Sequence, residues 1–141
     1  MYIMINTDER DNIVNKLREE YPIETQVLFN EFTISDKLQD NMKLKIKYQE
    51  HYDHENYIYH KLKEKLDILI CNRYDYYRFE SDRNLTKTEI ENYYIPADKK
   101  IRKVKDIVEK QYIKVKFFEL CVKAINELYW RIKAYIDNEK V

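Results

Sequence analysis

Residues 99–136 read KKIRKVKDIVEKQYIKVKFFELCVKAINELYWRIKAYI, and this stretch decides the fold. Ile101, Val104, Val108, Gln111, Val115, Phe118, Val122, Ile125, Tyr129, Ile132 and Ile136 recur in alternating steps of three and four. That spacing puts them on one side of an α-helix, as a heptad stripe. Gln111 is its single polar interruption. Ile113, Phe117, Leu120, Ala124 and Leu128 form a second apolar row beside the first, so the face is wide enough for two neighbours.

Working back from this helix, Pro96 disfavours helix at Ile95 and suits the opening turn of the next helix. Thr86 with Glu89 forms a capping-box pattern, and ESDRNL (80–85) reads as a loop. Before that loop a second long helix runs to Phe79 from an N-cap at Ser35-Asp36. Its seam is Tyr48, Tyr52, Glu55, Tyr59, Leu62, Leu66, Leu69, Arg73 and Tyr76. A first short helix follows Thr7, carries Ile13, Val14 and Leu17 on one side and stops before Pro22; IETQVLFNEF (23–32) supplies another.

The expected fold is therefore all-α and forms one domain over 1–141. It has short helices in 1–34, a long helix over 35–79, and a capped short helix plus a long helix over 86–138. Composition agrees, since the chain has no glycine and two prolines, which leaves few routes to the positive φ of tight hairpins. Two helices of about 40 residues each span about 60 Å, long rods for a chain of this size. They predict a ring or barrel of copies joined through Val115, Phe118, Val122, Ile125, Tyr129, Trp130, Ile132 and Ile136.

The two cysteines, Cys71 and Cys121, are too few and too far apart to predict a disulfide framework or zinc knot, and a reducing compartment fits them. No apolar run reaches membrane-span length, and no signal-peptide pattern opens the chain. Net charge is zero but uneven: residues 1–35 hold 3 basic and 7 acidic side chains, whereas residues 99–133 hold 11 and 4. A local basic field, rather than the total, is what an anionic partner meets.

The chemistry-bearing patterns are few. His51, His54 and His60 share HYDHENYIYH (51–60) without a third ligand at metal spacing, so solvated histidines are the plain alternative to a metal-dependent enzyme. Without glycine there is no phosphate-cradling loop and no strained serine elbow, so catalysis is not expected. DKKIRKVK (98–105) places Lys99, Arg102, Lys103 and Lys105 within about two turns, as a solvated face or a phosphate-binding one. NRYDYYRFESDRN (72–84) combines three arginines with three tyrosines, preceded by Lys61, Lys63 and Lys65. Cations neutralise phosphates and aromatic faces stack on bases of any sequence, which are the two requirements for gripping a single strand. The same tyrosines could instead be core, with the arginines paired to Asp75, Glu80 and Asp82, in a helical-hairpin adaptor that binds only protein.

RYDYY (73–77), LTKTEIENYYIPADKKIRKV (85–104) and VKFFELCVKAINELYWRIKAYI (115–136), in this order, resemble the UvsY recombination mediator proteins of myovirus-type tailed phages. The likeness runs from about Leu62 to Ile136. Arg73, Tyr74, Asp75, Tyr76 and Tyr77 match that family's basic–hydrophobe–acid–tyrosine–tyrosine pattern. Ala97, Asp98 and Lys99 match its ADK segment, and Trp130 to Lys133 its closing aromatic-x-Ile-Lys. Cys71 stands where some relatives carry lysine.

The resemblance implies a helical homo-oligomer, a hexamer or heptamer, without cofactor or metal. It implies binding of single-stranded DNA through Lys61, Lys63, Lys65, Arg73, Tyr76, Tyr77, Arg78, Arg83, Lys99, Arg102 and Lys103. It further implies loading of a RecA-like phage recombinase onto strands covered by single-strand-binding protein, in recombination, replication and repair. The expected place of action is the cytoplasm of the infected bacterial host.

Overall fold

A computed structural model describes residues 6–29 and 34–139, and every regular element in it is helical. The order is α1 (Thr7–Glu20), α2 (Ile23–Gln26), α3 (Ile34–Asp75), α4 (Lys87–Glu89), α5 (Ile95–Ala97) and α6 (Lys99–Glu139). Five-residue π turns at Tyr76–Glu80 and Ile90–Tyr94 extend α3 and join α4 to α5. No described residue has positive φ, as a chain without glycine requires.

The two long helices, 42 and 41 residues, lie antiparallel as one hairpin. Polar rungs fix its register. Asn41 Nδ2 donates to the Ile125 carbonyl at 3.4 Å. Two heptads along each helix, Gln111 Nε2 donates to the Glu55 carbonyl at 2.9 Å and also to the Glu55 carboxylate. Gln111 interrupts the seam of α6, Glu55 is one of two polar residues, with Arg73, in the seam of α3, and Glu55 and Gln111 meet each other. A slip of one turn would leave the buried Gln111 and the half-buried Glu55 without partners, which is the usual way a polar pair specifies register.

Between the rungs the core falls into two clusters. Leu66, Ile101 and Val108 are buried with Tyr59, Leu62, Leu69, Ile95 and Val104 packed round them. Farther along, Tyr48, Phe118, Cys121 and Ile125 close over Leu17 of α1. α1 begins with Asn6, whose side chain accepts from Glu9 N at 2.8 Å, and buries Leu17 with Ile13 and Val14 half-buried. The wide face of α6 thus touches two neighbours, α3 and α1, as its two apolar rows predict. Arg131 donating to the Val27 carbonyl at 2.9 Å and Lys37 to the Gln26 carbonyl at 2.9 Å pin the segment between α1 and α3.

Several expectations need correction. α3 is already helical at Ile34, so Ser35 and Asp36 stand inside its first turn, where an anion suits the free N–H groups. Residues 30–33, before Ile34, lie outside the described residues, and with them the end of the predicted helix over 23–32. In its described part, residues 23–29, only the single turn Ile23–Gln26 is helical. Ile95 stays helical at φ −64° despite Pro96, because its side chain packs on the Leu66–Ile101 cluster. Pro96 opens only the short α5; Asp98 starts the long helix.

Among the residues predicted to join copies, Val115, Phe118, Ile125 and Ile132 are buried within one chain, and Val122 and Ile136 are half-buried. Their stripe is the hairpin's own core. Tyr129 and Trp130 remain exposed, at 43% and 62%.

Burial pushes the Cys121 thiol up to about 12, which makes it an inert core group. His51 stacks on Phe118 at 5.2 Å and meets Tyr21 edge-on at 4.9 Å, so it belongs to an aromatic cluster.

Ile125→Ala is expected to lower stability by about 2–5 kcal/mol, the cost of a large-to-small change in a closed core. Leu120→Ala, on the same helix but 64% exposed, should shift it by about 0.5 kcal/mol or less. Urea midpoints check this pair; equal losses would contradict the packing described.

Candidate nucleic-acid interface

The hairpin brings the end of α3 beside the start of α6, so residues 73–83 and 98–105 share one end of the molecule. Their junction is Asp98. Arg73 Nε donates to Asp98 Oδ2 at 2.7 Å, and Tyr77 Oη donates to the same oxygen at 2.6 Å. Oδ1 accepts from Ile101 N at 3.1 Å, capping α6. The Asp98 side chain is 2% exposed and that of Arg73 20%. Burial alone would raise the Asp98 pKa, but the bonds from Tyr77, Arg73 and Ile101 N outweigh it and hold the carboxyl down to about 2. Burial and the bond to Asp98 push the Tyr77 hydroxyl up.

Aromatic rings surround this clasp. The Arg73 guanidinium lies 4.4 Å from the Tyr76 ring centre and 5.2 Å from that of Tyr77. Tyr77 and Tyr94 meet at 5.3 Å, and Arg83 donates to Tyr94 Oη at 2.9 Å. The π turn sets this arrangement. Ser81 N donates to the Tyr76 carbonyl at 2.9 Å, and Ser81 Oγ closes the end by donating to the Tyr77 carbonyl. One extra residue in the turn breaks the 3.6-residue spacing just where Tyr76 to Phe79 leave the seam.

The predicted contacts divide accordingly. Arg73 and Tyr77 are fixed to Asp98 and hold the two segments together; the acids expected to pair with arginines, Asp75, Glu80 and Asp82, do not take Arg73. Tyr76 is 39% exposed. Arg78, Lys99 and Lys103 are exposed, and Arg102 is exposed with its Nε on the Pro96 carbonyl at 2.8 Å. Lys61 pairs with Glu64 at 3.5 Å, Lys63 lies over the Tyr59 ring, and Lys65 is exposed farther down α3.

Sequence reasoning missed Phe79 and Tyr93, which at 76% and 69% exposure are the most open aromatics of this end. Phe79 was findable, because steps of three and four from Arg73 pass it by. Tyr93 sits in the second π turn, where no periodicity assigns a face. Lys100 is a further exposed cation beside Lys99. A hollow of about 290 Å³ opens between the tyrosines and the 80–83 loop. No helix among the described residues is long and apolar enough to cross a membrane.

A family profile described as "Recombination, repair and ssDNA binding protein UvsY" matches residues 22–141. The fold is similar to the crystal structure of the bacteriophage T4 recombination mediator protein UvsY, with a TM-score of 0.74 at 19% identity. That likeness covers 89% of this chain and 95% of the T4 chain. A comparison with curated protein sequences finds no match.

The lowered Asp98 pKa implies a pH dependence of stability. A carboxylate held at about 2 against an ordinary 3.8 contributes stability that is fully present above about pH 4 and lost as pH falls through about 2. The shift corresponds to about 2 kcal/mol. The stability gap between the wild type and Asp98→Asn should therefore narrow from pH 5 to pH 2 in urea titrations. A gap that stays constant would show that the charge on Asp98 does not hold the clasp.

Proposed function

Because this chain belongs to the UvsY family of recombination, repair and ssDNA-binding proteins, we propose that the clasped end of its hairpin is where it grips single-stranded DNA. The observation that carries this reading is the clasp itself. Arg73, Tyr77 and Asp98 unite a cation-rich helix start with a tyrosine-rich helix end, neither of which would make a site alone. Lys99, Lys100, Lys103 and Arg78 supply exposed positive charge for phosphates. Tyr76, Phe79 and Tyr93 supply exposed rings for bases. Arg73 acts through Asp98, as a positioning residue.

Each patch is small, and the chain carries no net charge. Strong binding then needs several patches on one assembly, where avidity can exceed one-site affinity by roughly 10² to 10⁴. A hexamer or heptamer meets that need. The surface open to a second copy lies at the opposite end of the hairpin, where Leu38, Met42, Tyr129 and Trp130 line a hollow of about 580 Å³. Such an assembly would hold a strand at many points, displace single-strand-binding protein and present the strand to a RecA-like recombinase. It acts where the phage DNA is copied, in the cytoplasm of the host. The reading needs no catalytic step.

Lys99→Ala with Lys103→Ala and Arg78→Ala is expected to weaken oligonucleotide binding and flatten its salt dependence. Each lost phosphate contact should remove roughly 0.7 from the slope of log affinity against log salt. The thermal midpoint should stay near that of the wild type, since all three side chains are exposed. An unchanged slope would move the site away from this end of the hairpin.

A further inference from the structure

Binding by cations and rings leaves one feature of the hairpin's clasped end unexplained. Glu80 and Asp82 are exposed and line the 290 Å³ hollow beside Arg83, on a surface that has to meet a polyanion. Among the described residues neither carboxylate has an ion-pair or hydrogen-bond partner, although Arg78 and Arg83 are close in sequence. Like charge there repels phosphate, so these side chains oppose the function unless they meet something other than the backbone of the strand.

We propose that this hollow receives one unstacked base of the bound strand and favours a base with an exocyclic amino group, cytosine, adenine or guanine, over thymine. The inference rests on the single-strand-binding reading given above.

Three observations carry it. The first is size: about 290 Å³ lies at the lower limit of small-ligand pockets, room for one planar ring system and too little for a stretch of strand. The second is the wall. Tyr76, Tyr77 and Tyr94 line the hollow, and the bonds from Tyr77 to Asp98 and from Arg83 to Tyr94 hold two of those rings in place before any ligand arrives. Fixed aromatic rings round a ring-sized space are the usual receptacle of an extruded base. The third is the rim. A carboxylate accepts hydrogen bonds and cannot donate them at neutral pH. Cytosine N4, adenine N6 and guanine N2 offer two N–H donors each, whereas thymine has the acceptor O4 where cytosine has N4 and keeps a single N–H, at N3 between two carbonyl oxygens. Thymine donating through N3–H would thus bring its flanking carbonyl oxygens against Glu80 or Asp82 as well. The carboxylates thereby sort base from backbone: phosphates are turned away toward Lys99, Lys100 and Lys103, and an amino-bearing base is admitted.

The test compares equal-length homopolymers of deoxycytidine, deoxythymidine and deoxyuridine in fluorescence anisotropy at two salt concentrations, using the full chain. Cytosine and uracil have similar shape and stacking, and uracil removes the thymine methyl from the comparison. The wild type is expected to bind the cytosine strand about tenfold more tightly than either of the others, the scale of one good base contact. Glu80→Gln with Asp82→Asn replaces both acceptors by groups that also donate. This variant should bind all three strands alike, with the uracil strand held more tightly than by the wild type. Both side chains are exposed, so its thermal midpoint should match that of the wild type. Equal binding of the three strands by the wild type, with salt sensitivity intact, overturns the base preference and leaves the single-strand-binding reading standing. A cytosine preference that survives in the variant assigns discrimination elsewhere and also overturns the proposal. Absence of salt-sensitive binding to any strand removes both.

Discussion

Asp98 accepts from Arg73, from Tyr77 and from the backbone of Ile101, and through those three bonds one carboxylate joins the end of α3 to the start of α6. Its burial makes the arrangement strict. A charge that is 2% exposed has no water to replace a lost partner, so removing Arg73 would leave a buried anion, a defect that typically costs about 3–5 kcal/mol. The same contact caps a 41-residue helix whose first turn otherwise holds only cations, Lys99 and Lys100, next to the positive end of the helix dipole. The unfavourable run is tolerated because Asp98 supplies the anion that the helix end requires.

The three polar links of the hairpin also divide its labour. Asn41 on Ile125 and Gln111 on Glu55 set the register of two apolar seams, and the seams supply the bulk of the burial. The clasp then fixes what the seams leave open, the placement of the irregular connection between the two long helices. Exposed cations and rings can project from that end because other side chains have taken up the structural work. Further apolar surface stays open at the opposite end, round Met42 and Trp130, which are 63% and 62% exposed.

Long-range regularity was legible in the sequence and local geometry was not. The two seams could be read because heptad spacing persists for dozens of residues, and even their flaws at Glu55 and Gln111 proved to be partners. Periodicity marks the apolar face of α6 without saying what covers it, and within one chain Val115, Phe118, Ile125 and Ile132 are covered by the hairpin itself. At the tip, two π turns abolish the 3.6-residue rhythm, so Tyr93 carried no signal and Tyr77 looked as open as Tyr76. The Arg73–Asp98 pair spans 25 positions with no repeat to suggest it.

Amide hydrogen exchange at Ile101 tests the clasp most directly. In the first turn of α6 this N–H has no earlier helical carbonyl to bond, and the Asp98 side chain is its partner. In Arg73→Met, protection at Ile101 and across 90–98 should fall sharply while that of 113–128 stays close to the wild type. Protection at Ile101 that is unaffected by losing Arg73 would show that the two ends are held together by something other than this carboxylate.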